Sequence, residues 1–354
     1  MITVNSPRPT MKRNQTMDII KVIAAISVVW IHVLFPGGLG LAVTCLARFA
    51  VPFFFMVSGY FSYHLKPFKA VSRMTRTLWL TLLGTCLAFF VFCILTVYQG
   101  NSLRDALGPP IPISILIAEF WVLNTNYISP HLWFLPALAS CYIAIYFYVK
   151  FFGDRKPNYT PLYIVGFCLF LICLGLSKLA VAADLILPDY LYRNGLFFGF
   201  PMFAMGLFLR EYSDVIRTNF QMNFLKLSGY ILVGTVISFI EWRGIGDNDI
   251  HIGSVMTAGC LILMCTYYPT IFYNRTLTSL ISHFDKLSLW IYLTHPSVME
   301  LYDLFLRPWV KIYFGPARQF LRPIFVALLT ILLFIPIQWL LNLIRKIFTS
   351  KQSK

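Results

Sequence analysis

Charge is scarce in this sequence. Of its 354 residues only 12% are charged, and just 14 are acidic, where a soluble domain carries about a quarter charged residues. Hydrophobic residues make up 58% and the mean hydropathy is +0.72. A surface so poor in charge has to be covered by lipid, which excludes a soluble enzyme. No polar linker, low-complexity tract or internal repeat divides the chain, so residues 1–354 read as one membrane domain. The 8 cysteines, at 45, 86, 93, 141, 168, 173, 260 and 265, form no Cys-x-x-Cys pair and all fall in apolar runs. They read as small core hydrophobes, and no metal centre is expected. A signal-peptide cleavage site is also missing. Asp18 and Lys21 interrupt the first apolar run and no small-x-small site follows, so this run is read as a retained first helix.

What is present is length of apolar sequence. A membrane-spanning helix needs about 20 mainly apolar residues. Ten stretches qualify: Met17–Pro36, Leu41–Tyr63, Thr77–Tyr98, His131–Phe152, Thr160–Ser177, Gly195–Arg210, Lys226–Glu241, Ile252–Phe272, Leu287–Leu306 and Phe320–Ile344. The expected fold is therefore an all-α polytopic bundle of about ten transmembrane helices. With the N-terminus inside, nineteen of the 29 lysines and arginines fall in inner segments and eight in outer ones. That bias is the positive-inside pattern. It places both termini in the cytoplasm, with residues 1–16 as a leader and 345–354 as a basic tail. It also accounts for the net charge of +15 without a nucleic-acid partner. The longest outer segment, Gln99 to Pro130, holds an apolar run, Ile113 to Leu123, too short to span, which suits a re-entrant or interfacial helix.

Ionisable groups in lipid are costly and therefore informative. Asp18, Lys21 and His32 are spaced by eleven and fourteen residues from His32, close to whole helical turns, so all three share one stripe. Lys21 and His32 would lie about 16 Å apart along the axis. Arg48, well inside the second span, reaches a depth similar to that of His32. Arg73 and Arg76, at i and i+3 before the third span, form one cationic face. It suits phosphate, although on composition alone ordinary positive-inside charge is the favoured explanation. His131 opens the fourth span with Trp133, a pattern that also serves as an aromatic anchor. Arg193 and Asn194 precede the sixth span. His295-Pro296 interrupts the ninth near its middle, where the proline frees a backbone carbonyl.

Taken in order, these pieces resemble the integral-membrane acyltransferase-3 family. The matching stretches are Lys21 through His32, Arg48 through Tyr60, Arg73-Met74-Thr75-Arg76, His131-Leu132-Trp133-Phe134 and Leu289 through Pro296. Arg193-Asn194-Gly195-Leu196-Phe197-Phe198 and His131 through Ala137 also resemble the membrane half of vancomycin-resistance serine racemases. With the sequence ending at Lys354, the likeness is expected to reach that membrane half and not racemization. The first resemblance implies an O-acyltransferase, most simply an acetyltransferase, in a bacterial cell membrane. A cytosolic acyl-CoA would be donor substrate, with no permanently bound cofactor, and a hydroxyl on an envelope polysaccharide would be acceptor. In that reaction His32 would be general base and Lys21, Arg73 and Arg76 donor-binding groups; depth and spacing alone suggest Arg48 as oxyanion stabiliser and Asp18 as the neighbour that positions or neutralises Lys21. His131, Trp133, Arg193, Asn194 and His295 would line a cavity. The rival expectation is a transporter of a small molecule such as serine.

Overall fold

We analysed a computed structural model of the chain, which describes residues 13–108, 110–126, 128–152, 157–183, 188–246, 250–270, 274–281 and 283–351. Most of the expected leader, and the end of the expected basic tail, lie outside the described residues. The described residues are helical, with no strand. The major helices are α1 (Gln15–His32), α2 (Gly37–Ala47), α3 (Ala50–Tyr60), α4 (Pro67–Tyr98), α5 (Phe134–Phe152), α6 (Thr160–Ala182), α7 (Phe200–Asn219), α8 (Phe224–Ile245), α9 (Ile252–Tyr267), α10 (Phe284–Leu301) and α11 (Arg318–Lys351).

Seven helical stretches among the described residues are long and apolar enough to cross a membrane, so the protein is a polytopic helical bundle. The last of them, 51 residues from Lys286 to Pro336, contains most of the final two predicted spans. The predicted sixth span coincides with a π-turn (Gly195–Gly199) and α7. The C-terminal half of α7 carries Arg210, Glu211, Asp214 and Arg217, which lowers its hydropathy. The predicted eighth is α9, apolar but only 16 residues long.

Three local departures from the sequence reading matter for the site. The second span is bent, not continuous: α2 ends before Arg48 and α3 begins at Ala50. The cause is Pro52, which has no N–H for the Arg48 carbonyl four residues back and whose ring crowds it. Second, α4 begins at Pro67, ten residues before the predicted start. Proline is favoured in a first turn, and the polar residues that follow hide the helix from a hydropathy window. Arg73 and Arg76 therefore lie within α4, not ahead of it. Third, α10 runs unbroken through Pro296 instead of breaking there.

Two buried apolar clusters hold the bundle. One, around Phe53, Phe55, Met56, Phe203 and Leu207, joins α3 and α7. The other, around Ala25, Val29, Ile291, Val298 and Val326, joins α1, α10 and α11. The α3–α7 crossing is backbone against backbone. A Cβ on Gly59 would sit 1.9 Å from the Phe203 carbonyl oxygen, and one on Gly206 would sit 2.0 Å from that of Met56. Small residues permit such close approach between helices in lipid.

Candidate active site

Two cavities lie back to back in the bundle. The first, about 340 Å³, has Lys21, Arg73 and Arg76 in its wall, with Ser58, Thr77 and Ser288; we call it the basic cavity. The second, about 70 Å³, is lined by His32, Arg48, His131, Trp133 and Arg193 among apolar neighbours; we call it the histidine cavity. Phe54, Phe134 and Tyr292 belong to both walls. The partition between the cavities is thus three aromatic side chains from α3, α5 and α10. Phe54 and Phe134 approach at 6.1 Å, and Phe134 and Tyr292 at 5.7 Å, centroid to centroid. Lys21 and His32, on one stripe of α1, face opposite sides of this partition.

In the basic cavity the two arginines differ. Arg73 Nη1 donates to the Phe61 carbonyl at 3.1 Å and to Ser62 Oγ at 3.0 Å, holding the C-terminus of α3. Part of its donor capacity is already used. Arg76 is exposed and makes no hydrogen bond to the described residues. Asp18 joins neither wall. It is buried at the first turn of α1, paired with Arg13 and, at 3.8 Å, with Lys21. It pairs with Lys21 and lies at the opposite end of α1 from His32.

In the histidine cavity three imidazoles converge from separate elements. His32 ends α1, His131 sits in a 3₁₀ turn (Pro130–Trp133), and His295 is on α10. The ring of His295 lies 5.3 Å from that of His32 and 5.3 Å from that of His131. His295 is fully buried and stands behind the cavity wall. Its Nδ1 contacts the carbonyls of Tyr292 at 3.0 Å and Ile291 at 3.1 Å. Both are acceptors, so Nδ1 must carry the hydrogen. Tyr292 O is the carbonyl that Pro296 leaves without its helical donor, so the proline and the histidine act as a pair. The other face of this arrangement is closed by Tyr292, whose hydroxyl donates to the His131 carbonyl at 2.9 Å.

Arg48 reaches this cavity from the bend between α2 and α3. Arg193 reaches it from the loop before α7 and lies over the Trp133 ring, 5.4 Å from its centroid. Asn194 does not line the cavity. Its Oδ1 accepts from the backbone N–H groups of Leu196 and Phe197, both at 2.9 Å, which caps the π-turn and presents Arg193. Chemically, the cavity sets imidazole beside two guanidinium groups. One can take a proton and the others can stabilise developing negative charge.

Sequence reasoning missed four residues. Phe54, Phe134 and Tyr292 sit within motifs read for other members, and an apolar run does not reveal which side chain divides two cavities. The fourth is Asn124, in a left-handed conformation at φ 55°. Its Oδ1 accepts from the buried Gly195 N–H at 2.6 Å, tying the 99–130 segment to the loop that carries Arg193. Its only sequence signal is an Asn at a helix end.

Two curated proteins resemble this chain. A serine/alanine racemase of Enterococcus gallinarum is 27% identical over 308 residues, covering 80% of this chain and 40% of that protein. An amino-acid racemase of Enterococcus faecalis is 29% identical over 228 residues, covering 60% of this chain and 30% of that protein. The chain thus spans less than half the length of these relatives. No solved structure matches. The family model described as an acyltransferase domain matches residues 14–343, a range that contains both cavities and every residue lining them: this chain belongs to the acyltransferase-3 family of multi-pass membrane proteins.

Proposed function

We propose that the protein is a bacterial cell-membrane O-acyltransferase that moves an acyl group, most simply acetyl, from cytosolic acyl-CoA to an extracytoplasmic hydroxyl. The acceptor class would be an envelope glycan. The observation that carries this reading is the pair of cavities divided by Phe54, Phe134 and Tyr292. The basic cavity suits the phosphates of CoA, with Arg76 offering its whole guanidinium and Lys21 a further charge. A thioester passing the aromatic partition would meet His32. His32 takes the proton of the acceptor hydroxyl, and that oxygen attacks the thioester carbonyl. Arg48 stabilises the oxyanion. The carbon–sulfur bond breaks and the CoA thiolate recovers the proton from His32. General-base catalysis of this kind contributes about 10²–10⁴-fold.

The test uses the purified full chain for CoA binding and membranes of expressing cells for transfer of label from acetyl-CoA to the envelope. His32→Ala is expected to keep CoA affinity and lose transfer; unchanged transfer would refute the role of His32. Two cavities on either side of a thin partition also suit alternating access in a transporter. Serine uptake with no CoA binding would establish that second reading.

A further inference from the structure

A further cavity lies away from the site, between α4 and the segment that precedes α5. It measures about 650 Å³, within the usual range of ligand pockets of about 300–1,000 Å³. Its α4 wall is Leu78, Thr81, Leu82 and Thr85. The basic cavity uses Arg73, Arg76, Thr77 and Leu80 of the same helix, so the two lie on different faces of α4 and do not communicate through it.

Three observations indicate what fills this groove. It opens sideways. Leu82, Leu116 and Ile128 line it and are 50%, 38% and 44% exposed. In a membrane-spanning protein, such a mouth meets hydrocarbon. One end is polar. Asn126 Nδ2 donates to Thr85 Oγ1 at 2.6 Å, and the adjacent Thr125 Oγ1 is buried with no hydrogen-bond partner among the described residues. A buried hydroxyl without a partner costs about 1–3 kcal/mol, so the groove is incomplete without a polar group from its occupant. Finally, its charge has one sign. Glu119 is in the lining and no Lys or Arg is among the described lining residues. A phosphate head would be repelled, whereas a neutral hydroxyl can donate to the carboxylate and accept from Thr125.

We propose that this groove is a binding site for a neutral, hydroxyl-headed, long-chain membrane lipid. The head lies at Thr125 and Glu119 and the chain runs along α4 towards Leu78. The proposal rests on the cavity and the bilayer, and stands apart from the acyl-transfer reading. The same segment is tied to the loop that carries Arg193. Asn124 holds Gly195, and Asn126 Oδ1 accepts from Ser129 N at 3.0 Å, two residues before His131. A lipid seated here therefore lies beside the histidine cavity without entering it.

The experiment uses the purified chain in phosphatidylcholine nanodiscs with two photoreactive probes, a long-chain primary alcohol and a hydrocarbon of equal length, each with a diazirine in its chain. Labelled peptides are read by mass spectrometry. The alcohol is expected to label Leu82, Leu116 and Ile128 about tenfold above the more exposed Ile164 of α6, which lines none of the cavities described. Leu116→Trp, which fills the mouth, is expected to abolish the excess. Thr125→Val is expected to lower alcohol labelling about fivefold, the equivalent of one hydrogen bond of about 1 kcal/mol, and leave hydrocarbon labelling unchanged. Even labelling of groove and α6, or alcohol labelling indifferent to Thr125→Val, would overturn the proposal.

Discussion

Replacing Arg73 and Arg76 separately distinguishes donor binding from ordinary inner-loop charge. Arg73 makes two hydrogen bonds, to Phe61 O and Ser62 Oγ, and Ser62 is fully buried. Hydrogen bonds from charged groups contribute about 1.5–3 kcal/mol each. Arg73 is only half-buried, so solvent screening puts the pair near the low end, about 2 kcal/mol in all. Arg73→Ala should therefore lower the unfolding midpoint and weaken CoA binding together. Arg76 makes no hydrogen bond or ion pair among the described residues, so Arg76→Ala should leave the midpoint unchanged. Its loss should remove a contact to a CoA phosphate, and each 1.4 kcal/mol lost is about tenfold in affinity. We expect Kd for CoA to rise about tenfold or more, with Arg76→Lys recovering part of it because a point charge remains without the planar fork. The assay is calorimetric titration of CoA into the detergent-purified chain, at 0.1 M and 0.5 M salt, with thermal unfolding in parallel. Affinity should fall with salt as screening shortens. An Arg76→Ala protein that binds CoA as tightly as the wild type would refute the donor-site reasoning and leave these arginines as topology signals.

Gly206→Ala should lower the unfolding midpoint by several degrees, an overpacking cost of about 1–3 kcal/mol, because its Cβ would meet the rigid Met56 carbonyl. Gly175→Ala, with nothing within 4 Å, is the control that should not destabilise. Asn124→Leu should cost about 1–3 kcal/mol by leaving the buried Gly195 N–H unpaired, read as a lower midpoint and reduced labelled-acyl transfer. Pro296→Ala should raise thermal stability, since an interior proline costs a helix about 3 kcal/mol. It should also reduce transfer, because the new N–H competes with His295 Nδ1 for the Tyr292 carbonyl; transfer at the wild-type rate would show that this hydrogen bond is not part of the site.

The polar residues that line the two cavities were legible because lipid makes each of them expensive. His32, Arg48, Lys21 and Arg193 stood out against apolar surroundings, and all four are in the cavity walls. The reading failed where the cost was local or absent. Asn194 is polar for its backbone bonds and not for the cavity. The start of α4 was hidden by its own charge. Pro296 does not end α10 because the neighbouring histidine takes up the carbonyl it frees.

Composition and periodicity alone determined that this is a helical membrane bundle and which residues were worth following. Both are properties of single segments, and the bilayer imposes them on each segment separately. The tertiary structure decided how those residues divide. Lys21 and His32 share a stripe of α1, yet Phe54, Phe134 and Tyr292 from three other helices put a wall between their surroundings. No spacing along one helix encodes that wall. It exists only because bulky rings from distant segments meet at one depth, and it separates the surroundings of Lys21, Arg73 and Arg76 from those of His32 and Arg48.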